Sequence, residues 1–255
     1  TTRVPRLRPL MIRFLRGKVS ARGAVPTGSR PPSGSATSWY RAGSATIRIA
    51  APPPVDDALR RTLVDLAVGP PRSDEGRDDV DHTDGPTAQR DSVAEPDIEI
   101  TVVPIEAGYR VEHPRGSGNH ASAATAVDGV ISALNLTTLY ASQRHAHLHA
   151  GGLTAGDGAI LLTAPSGAGK STLVTAAVEA GFGYLSDERI GIDATGLAHP
   201  YHKPLSLKQA SWPLLPHLQP SDAGDDHRIW QIPASRISPE IDGRPLAGPT
   251  TPRLV

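Results

Sequence analysis

The chain contains no cysteine, and this absence excludes disulfide bonds, thiol nucleophiles and thiolate metal sites. A protein without disulfides suits a reducing compartment, so we expect a cytoplasmic location. Aromatic residues make up only 4% of the 255 residues and hydrophobic residues 38%, a composition that supports one modest core. No run of about 18 apolar residues occurs, so we do not expect a membrane span.

Acidic residues are absent from the first 55 positions, where ten of the 26 Lys and Arg residues lie. Such a basic segment is typical of contacts with nucleic acid or an acidic surface, of a transit peptide, or of a solvated tail. Residues 1–37 are also rich in Gly, Pro and Ser, and we interpret them as a disordered basic arm, with no nucleic-acid partner expected. Residues 69–96 are acidic with almost no large apolar side chains, which predicts a mobile loop.

Hydrophobic patterning predicts a small α/β part over residues 38–143, interrupted by that loop. Alternating apolar residues predict three strands, at 45–50, 97–103 and 109–112, the last two forming a hairpin. Apolar residues at helical spacing predict two helices, at 56–68 and 122–140. The apolar positions of these helices are Leu59, Leu63, Leu66, Val127, Val130, Ile131 and Leu134, with Leu139 further on. Asp56 is the expected N-cap of the first helix.

A glycine-rich loop in the second half carries the most specific pattern. The sequence APSGAGKS at 164–171 lies between an apolar run at 159–163 and a helical pattern at 171–180. In a strand–loop–helix context this pattern predicts a phosphate-binding loop, because its backbone N–H groups and the helix N-terminus attract the phosphates of a nucleoside triphosphate. The residues expected to bind the nucleotide are Ala164, Pro165, Ser166, Gly167, Ala168, Gly169, Lys170, Ser171 and Thr172.

Two side chains of the loop have specific expected roles. Lys170 should reach the β- and γ-phosphates, and the Ser171 hydroxyl should ligate Mg²⁺. The expected cofactor is therefore Mg²⁺, with ATP as substrate. Ala164 stands where the strict pattern has glycine, which is the mildest departure because Ala is the smallest residue with a Cβ.

An acidic pair, Asp187 and Glu188, follows a strand predicted at 183–186. The two strands of a strand–loop–helix–strand unit end at the same sheet edge, where ligands bind, so both carboxylates should face the phosphates. Adjacent residues on a strand point in opposite directions. We therefore expect Asp187 to serve as the catalytic base toward an acceptor hydroxyl and Glu188 to ligate the metal. The alternative is a solvated turn with Arg189 as the partner of the acids.

Three histidines at alternate positions, His145, His147 and His149, precede the loop strand. On a strand they would project to one side, as a metal-binding face does, although no cysteine and no evident fourth ligand completes such a site. We favour a packing or phosphate-sensing role for His149 and place it among the candidate catalytic residues.

These residues resemble a known family. The run 149–193 is similar to the catalytic domain of HPr kinase/phosphorylase and to the bacterial HPr-kinase-related proteins. The matching motifs are Pro165-Ser-Gly-Ala-Gly-Lys-Ser171 and Gly183-Tyr-Leu-Ser-Asp-Glu188, and the stretch 200–208 also looks like a Pro- and Lys-containing segment of the related proteins. The resemblance implies an α/β fold with a P-loop kinase core over residues 144–255, akin to phosphoenolpyruvate carboxykinase.

The resemblance also implies a function, which is transfer of the γ-phosphate of ATP to a Ser or Thr hydroxyl of a protein or peptide, and it suggests a homo-oligomer.

The chain departs from the family pattern at several places. Glu188 stands in place of the second Asp of the family. The end at 252–255 has the pattern of a beginning strand, so we expect a reduced C-terminal region, which in the family adds packing and a catalytic Arg. Arg228 is the remaining candidate for a phosphate-contacting Arg, and a solvated surface Arg is the alternative. The alternative functions are a small-molecule kinase with the same core and a non-catalytic nucleotide-binding regulatory protein.

Overall fold

The computed structural model describes residues 31–70, 95–141, 145–220, 228–237 and 247–252. Most of the predicted basic arm, residues 1–30, and most of the predicted acidic loop, residues 71–94, lie outside this part. The architecture is mixed α/β, and the described residues form four small sheets with helices packed on them. No helix in these ranges is long and apolar enough to cross a membrane.

The first half forms a six-stranded sheet covered by two helices. Its elements in chain order are β1 Ala36–Ala42, β2 Ala45–Ala51, helix α1 Pro53–Thr62, a 3-10 turn at Val64–Leu66, β3 Ala67–Val68, β4 Ile98–Ile105, β5 Gly108–His113, β6 Gly116–His120 and helix α2 Ala123–Ala141. The strand order is β3-β1-β2-β4-β5-β6. The β2–β4 pair is parallel and the other pairs are antiparallel. Because α1 and α2 contact each other as well as the sheet, their apolar residues share one core.

The strands and helices predicted for this half are present, with shifted bounds. The predicted hairpin is β4–β5, in which Val102 lies opposite Val111. All the apolar residues that define the two predicted helices are buried, except Leu139, which is 39% exposed. The helical spacing therefore identified the face of α2 that packs on the sheet.

The predicted start and end of the first helix are wrong, and Asp56 is not its N-cap. Helix α1 begins three residues earlier, after Pro52, because prolines in the first turn have a backbone φ suited to a helix start. Asp56 therefore lies within the helix and is buried, where it accepts hydrogen bonds from Ser38 Oγ at 2.8 Å and Arg60 Nε at 2.6 Å. After Thr62 the chain leaves the helix, forms the 3-10 turn and joins the sheet at Ala67–Val68 as β3.

Three strands of the sheet, β1, β3 and β6, have no counterpart among the predicted strands. β6 has the sequence Gly-Ser-Gly-Asn-His and contains no apolar side chain. Backbone pairing with β5 holds it in place, with Asn119 opposite Arg110 and the two side chains hydrogen-bonded at 3.0 Å. A strand that depends on its neighbour in this way leaves no periodic pattern in its own sequence.

The second half forms three smaller sheets. Its elements are β7 Ala146–Leu148, β8 Gly151–Ala155, β9 Gly158–Leu162, helix α3 Lys170–Glu179, β10 Gly183–Ser186, β11 Ile190–Ile192, β12 Ala198–His199, β13 Leu205–Lys208, 3-10 turns at Gln209–Leu214 and Pro216–Leu218, β14 Ile229–Ile232, helix α4 Ala234–Ile237 and β15 Thr251–Pro252. The sheets have the orders β10-β8-β9-β15, β12-β11-β7 and β13-β14. The predicted loop strand, loop helix and following strand correspond to β9, α3 and β10.

The relation between β9 and β10 determines where the candidate site lies. β8 separates these strands and is antiparallel to both, so β9 and β10 are parallel to each other. Their carboxyl ends therefore open at the same edge of the sheet, as the sequence predicted, although one strand stands between them. The β15 strand pairs in parallel with β9 on the other side, with Thr251 opposite Gly158.

Arg189 and Tyr201 connect the second half to helix α2 of the first. The Arg189 guanidinium donates to the Asn135 carbonyl at 3.1 Å and to Thr138 Oγ1 at 2.8 Å, and it lies over the Tyr201 ring. The Tyr201 hydroxyl donates to Asn135 Oδ1 at 2.9 Å, and its ring belongs to the core of the first half. Burial raises the pKa of Tyr201 to about 12, so this hydroxyl is a neutral donor at ordinary pH.

We expect Tyr201→Phe to reduce the free energy of unfolding by about 1 kcal/mol, because it removes one hydrogen bond and leaves the Asn135 amide oxygen without this donor. In a chain of this size such a loss lowers the melting temperature by about 2–4 °C. Thermal denaturation of both proteins measures the effect. The matched control is Tyr140→Phe, since that ring is 46% exposed and should change little. An equal loss in the two variants would show that the Tyr201 contact contributes nothing particular.

Candidate functional site

The loop between β9 and α3 has a backbone that requires glycine at two positions. Gly167 and Gly169 have φ values of +83° and +89°, in the left-handed region that side chains disfavour. Gly169 is also the N-cap of α3. Residues 165–169 are exposed, and the start of a ten-residue helix gives this end of the loop a positive electrostatic potential. The loop is therefore shaped and polarised to receive an anion.

Lys170 folds back over the loop that precedes it. Its Nζ donates to the carbonyl oxygens of Ala164 at 2.6 Å and Pro165 at 3.2 Å. These contacts hold the ammonium group next to the first two residues of the loop. Carbonyl oxygens are neutral acceptors, so an anionic oxygen arriving at the same place would form a stronger, charge-assisted hydrogen bond.

A cavity of about 150 Å³ lies beside the loop and gathers residues from four segments of the chain. Its lining comprises His149, Ser166, Gly167, Gly169, Lys170, Ser171, Thr172, Asp187, Glu188, Ser206, Lys208, Ala210 and Ser211. Nine of these were predicted as site residues. Of the other predicted nucleotide-binding residues, Ala164 and Pro165 contribute carbonyl acceptors for Lys170, and Ala168 lies exposed on the loop.

Asp187 is almost fully buried and accepts several hydrogen bonds. Its Oδ1 is 2.6 Å from Lys203 Nζ and 3.2 Å from the Tyr184 hydroxyl, and its Oδ2 accepts the Ser206 N–H at 3.1 Å. Burial by itself would raise the pKa of this carboxyl. The Lys203 ammonium, the Ser206 N–H and a hydrogen bond with the Ser171 side chain outweigh burial and hold the pKa below its ordinary value. Asp187 is therefore a charged carboxylate throughout the neutral range.

Glu188 and His149 lie together at the open side of the cavity. The His149 Nδ1 is 2.9 Å from the Glu188 carbonyl oxygen and 3.5 Å from its carboxylate, and the two side chains are 55% and 41% exposed. The neutral imidazole donates from Nδ1 to that carbonyl, which leaves Nε2 as an acceptor. The acids thus differ in environment: Asp187 is enclosed and ion-paired, and Glu188 is exposed to solvent.

The other two predicted histidines lie elsewhere. His145 and His147 line a separate cavity of about 590 Å³ between the halves of the molecule. The His145 ring lies 4.3 Å from that of His199, whose Nε2 is 2.7 Å from Asp193 Oδ2. The described residues contain no group of three or more His, Asp or Glu side chains placed to hold a metal ion. The three-histidine metal face considered from the sequence is therefore not formed there.

Arg228, the arginine predicted as a phosphate contact, does not line the loop cavity. It is exposed, immediately before β14, whose first residue Ile229 lies opposite Lys208 at the end of β13. This register places Arg228 beyond the far end of β13, where it lines two other cavities. One of those shares Lys208 and Ala210 with the loop cavity.

Lys203 is the functional candidate that sequence reasoning missed. It is fully buried, and its Nζ contacts Asp187, the Pro204 carbonyl at 2.8 Å and Ser206 Oγ at 3.0 Å. One signal was present: Lys203 occupies an inward position of an alternating pattern whose next inward residues are Leu205 and Leu207. A lysine on the buried face of a strand pattern requires a partner of opposite charge.

Comparison with known protein families, with curated proteins and with solved structures finds no match to this chain.

Proposed function

We propose that the protein is a P-loop kinase of the HPr-kinase type, which transfers the γ-phosphate of ATP to a Ser or Thr hydroxyl of a protein or peptide in the cytoplasm. One observation carries this proposal. A single cavity contains an exposed glycine-rich loop at a helix N-terminus, the Lys170 ammonium, the Ser171 hydroxyl and two carboxylates in different environments. These are the groups that phosphoryl transfer requires, because the reaction depends on positioning and on charge neutralisation.

The loop would bind the nucleotide through groups that already face the cavity. Backbone N–H groups of the exposed loop and the N-terminus of α3 attract the phosphates. Lys170 would exchange its two carbonyl acceptors for phosphate oxygens with a small movement of its side chain. The bound triphosphate would then lie next to Ser171, Asp187 and Glu188.

The donor atoms of the site fit Mg²⁺, which prefers oxygen ligands and often takes only one or two carboxylates together with substrate phosphates. The Ser171 hydroxyl and the Glu188 carboxylate are the residues that would hold it. When bound, the ion neutralises charge that develops on the phosphates.

We assign to Asp187 the role of orienting the acceptor hydroxyl and receiving its proton. Its carboxylate stays ionised because Lys203 pairs with it, so it accepts a hydrogen bond from the hydroxyl. It receives the proton as the hydroxyl oxygen bonds to the γ-phosphorus, while the bond from that phosphorus to the β–γ bridging oxygen breaks and ADP leaves with the electron pair. A carboxylate of low pKa is a weak base. Phosphoryl transfer passes through a loose transition state in most analyses, and orientation of the hydroxyl then contributes more than basicity.

Incubation with radiolabelled ATP, Mg²⁺ and a protein extract tests the proposal directly. We expect phosphoserine or phosphothreonine on a polypeptide, identified by mass spectrometry, and no labelling with the Lys170→Ala variant. Label found only on small molecules would replace the protein acceptor with a small-molecule one.

A non-catalytic nucleotide-binding regulator is the second candidate. The observation that favours it is that the lining of the loop cavity, as far as the chain is described, contains no arginine to neutralise the transition state. ATP binding that is normal in affinity but yields neither transfer nor hydrolysis, with or without extract, would establish this second function in place of the first.

A further inference from the structure

A continuous series of polar contacts joins Asp187 to helix α2 of the first half. Lys203 Nζ is 2.6 Å from Asp187 Oδ1 and donates to Ser206 Oγ at 3.0 Å. Ser206 Oγ donates to Gln231 Oε1 at 2.9 Å, and Gln231 Nε2 donates to Asp128 Oδ1 at 2.8 Å. The series passes from the end of β10, through β13 and β14, to α2. It connects residues more than a hundred positions apart in the sequence.

The donors in this series all point the same way, from the ammonium of Lys203 toward Asp128. The orientation of the Gln231 amide follows from its two neighbours. An ionised carboxylate only accepts, so the NH₂ group must face Asp128, and the amide oxygen is left to accept the Ser206 hydroxyl proton. Ser206 Oγ is then free to accept from Lys203. Each residue thus fixes the orientation of the next, and Asp128 fixes the orientation of the series.

The ion pair at the start of this series is buried, so its geometry matters for its stability. The side chains of Lys203 and Asp187 are 0% and 1% exposed, so the ion pair has little water to solvate it. A buried ammonium depends on good geometry with its partners. The contacts to Ser206 and the Pro204 carbonyl hold the lysine in the position from which it reaches Asp187.

We propose that Asp128 and Gln231 are positioning residues for phosphoryl transfer, which act through Ser206 and Lys203 to hold the Asp187 carboxylate in place. This inference rests on the proposed kinase function and deepens it. It makes the first half of the molecule a part of the catalytic arrangement, although none of the described residues of its sheet lines the loop cavity.

The proposal predicts a change in kcat without a matching change in the KM for ATP. Loss of the Gln231 link should lower kcat roughly tenfold, because Asp187 is no longer oriented, and leave the KM for ATP within about twofold, because the loop is untouched.

The test compares one variant at Gln231 and two at Asp128 in the full-length protein. Gln231→Leu removes both hydrogen bonds, and Asp128→Leu removes the terminal acceptor. Asp128→Asn retains an oxygen that accepts from Gln231 and should preserve at least half of the wild-type kcat. The matched control for the first variant is Gln219→Leu, an exposed glutamine outside the series, for which we expect wild-type kinetics.

A second measurement does not depend on activity. The ¹³Cγ resonance of Asp187, recorded at one neutral pH in protein with ¹³C-labelled aspartate, should shift in Gln231→Leu and Asp128→Leu relative to the wild type and to Asp128→Asn, because the hydrogen bonds to this carboxylate change. An unchanged Asp187 resonance in both leucine variants would overturn the proposal, whatever their activity. Failure of the proposed function is recognised separately, as a wild-type protein that binds no ATP or transfers no phosphate, and the NMR measurement then still decides whether the series holds Asp187.

Discussion

Lys170→Ala is expected to weaken the binding of ATP and Mg²⁺ by about 100-fold or more. In the free protein Lys170 donates to two carbonyl oxygens of the loop, so its ammonium already lies where the phosphates would bind. Hydrogen bonds to charged groups contribute about 1.5–3 kcal/mol each, and one such bond accounts for roughly a tenfold to 100-fold change in affinity. Calorimetric titration with ATP, in the presence of Mg²⁺, measures the loss.

The control for this variant is Arg236→Ala. Arg236 is an exposed cation of the same half that does not line the loop cavity, and its loss should leave the affinity for ATP unchanged. A melting temperature raised equally by ATP in the wild type and in Lys170→Ala would contradict the assignment of the loop as the nucleotide site. Equal weakening by both substitutions would instead indicate nonspecific attraction of a polyanion.

The loop and its flanking elements could be predicted from the sequence because every determinant is local. Gly167 and Gly169 occupy left-handed positions, the apolar run before them forms β9, and helical spacing after them forms α3. The same holds for α2, where Val127, Val130 and Leu134 define the buried face. Patterns that depend only on neighbouring residues are visible in a single sequence.

Features that depend on distant residues could not be predicted in this way. β6 is a strand only because β5 lies beside it, and Asp56 is buried because Ser38 from β1 pairs with it. The role of Lys203 depends on Asp187, and the strands β11 and β12 separate the two residues along the chain. The sequence located both acids but offered no measure of their burial. It therefore did not distinguish the enclosed Asp187 from the exposed Glu188.

Asp187→Asn is expected to lower the rate of phosphoryl transfer by roughly 100-fold or more, in line with the contribution of a general base. The substitution keeps the size of the side chain and removes its charge and its capacity to receive a proton. Binding of ATP should be largely retained, because the loop and Lys170 supply the phosphate contacts. Single-turnover kinetics at saturating ATP measure the rate, and calorimetry measures the affinity.

The buried partner of Asp187 makes a stability control necessary. With asparagine at this position the buried Lys203 loses its carboxylate partner, and loss of one partner of a buried ion pair costs about 3–5 kcal/mol. The double variant Asp187→Asn, Lys203→Met removes both charges. It should recover most of the lost stability and none of the lost activity, which separates the chemical role of Asp187 from its role in folding.

The pH dependence of stability follows from the depressed pKa of Asp187. A carboxyl whose pKa is lower in the folded than in the unfolded state stabilises the fold above its ordinary pKa of about 3.9, and this contribution is lost as the pH falls through the folded-state value. The stability difference between the wild type and Asp187→Asn should therefore be constant above about pH 5 and shrink in more acidic solution.

Unchanged transfer by a folded Asp187→Asn protein would move the base role to Glu188 or His149. His149→Ala then decides between those two, because transfer that survives in that variant leaves the Glu188 carboxylate as the group that receives the acceptor proton.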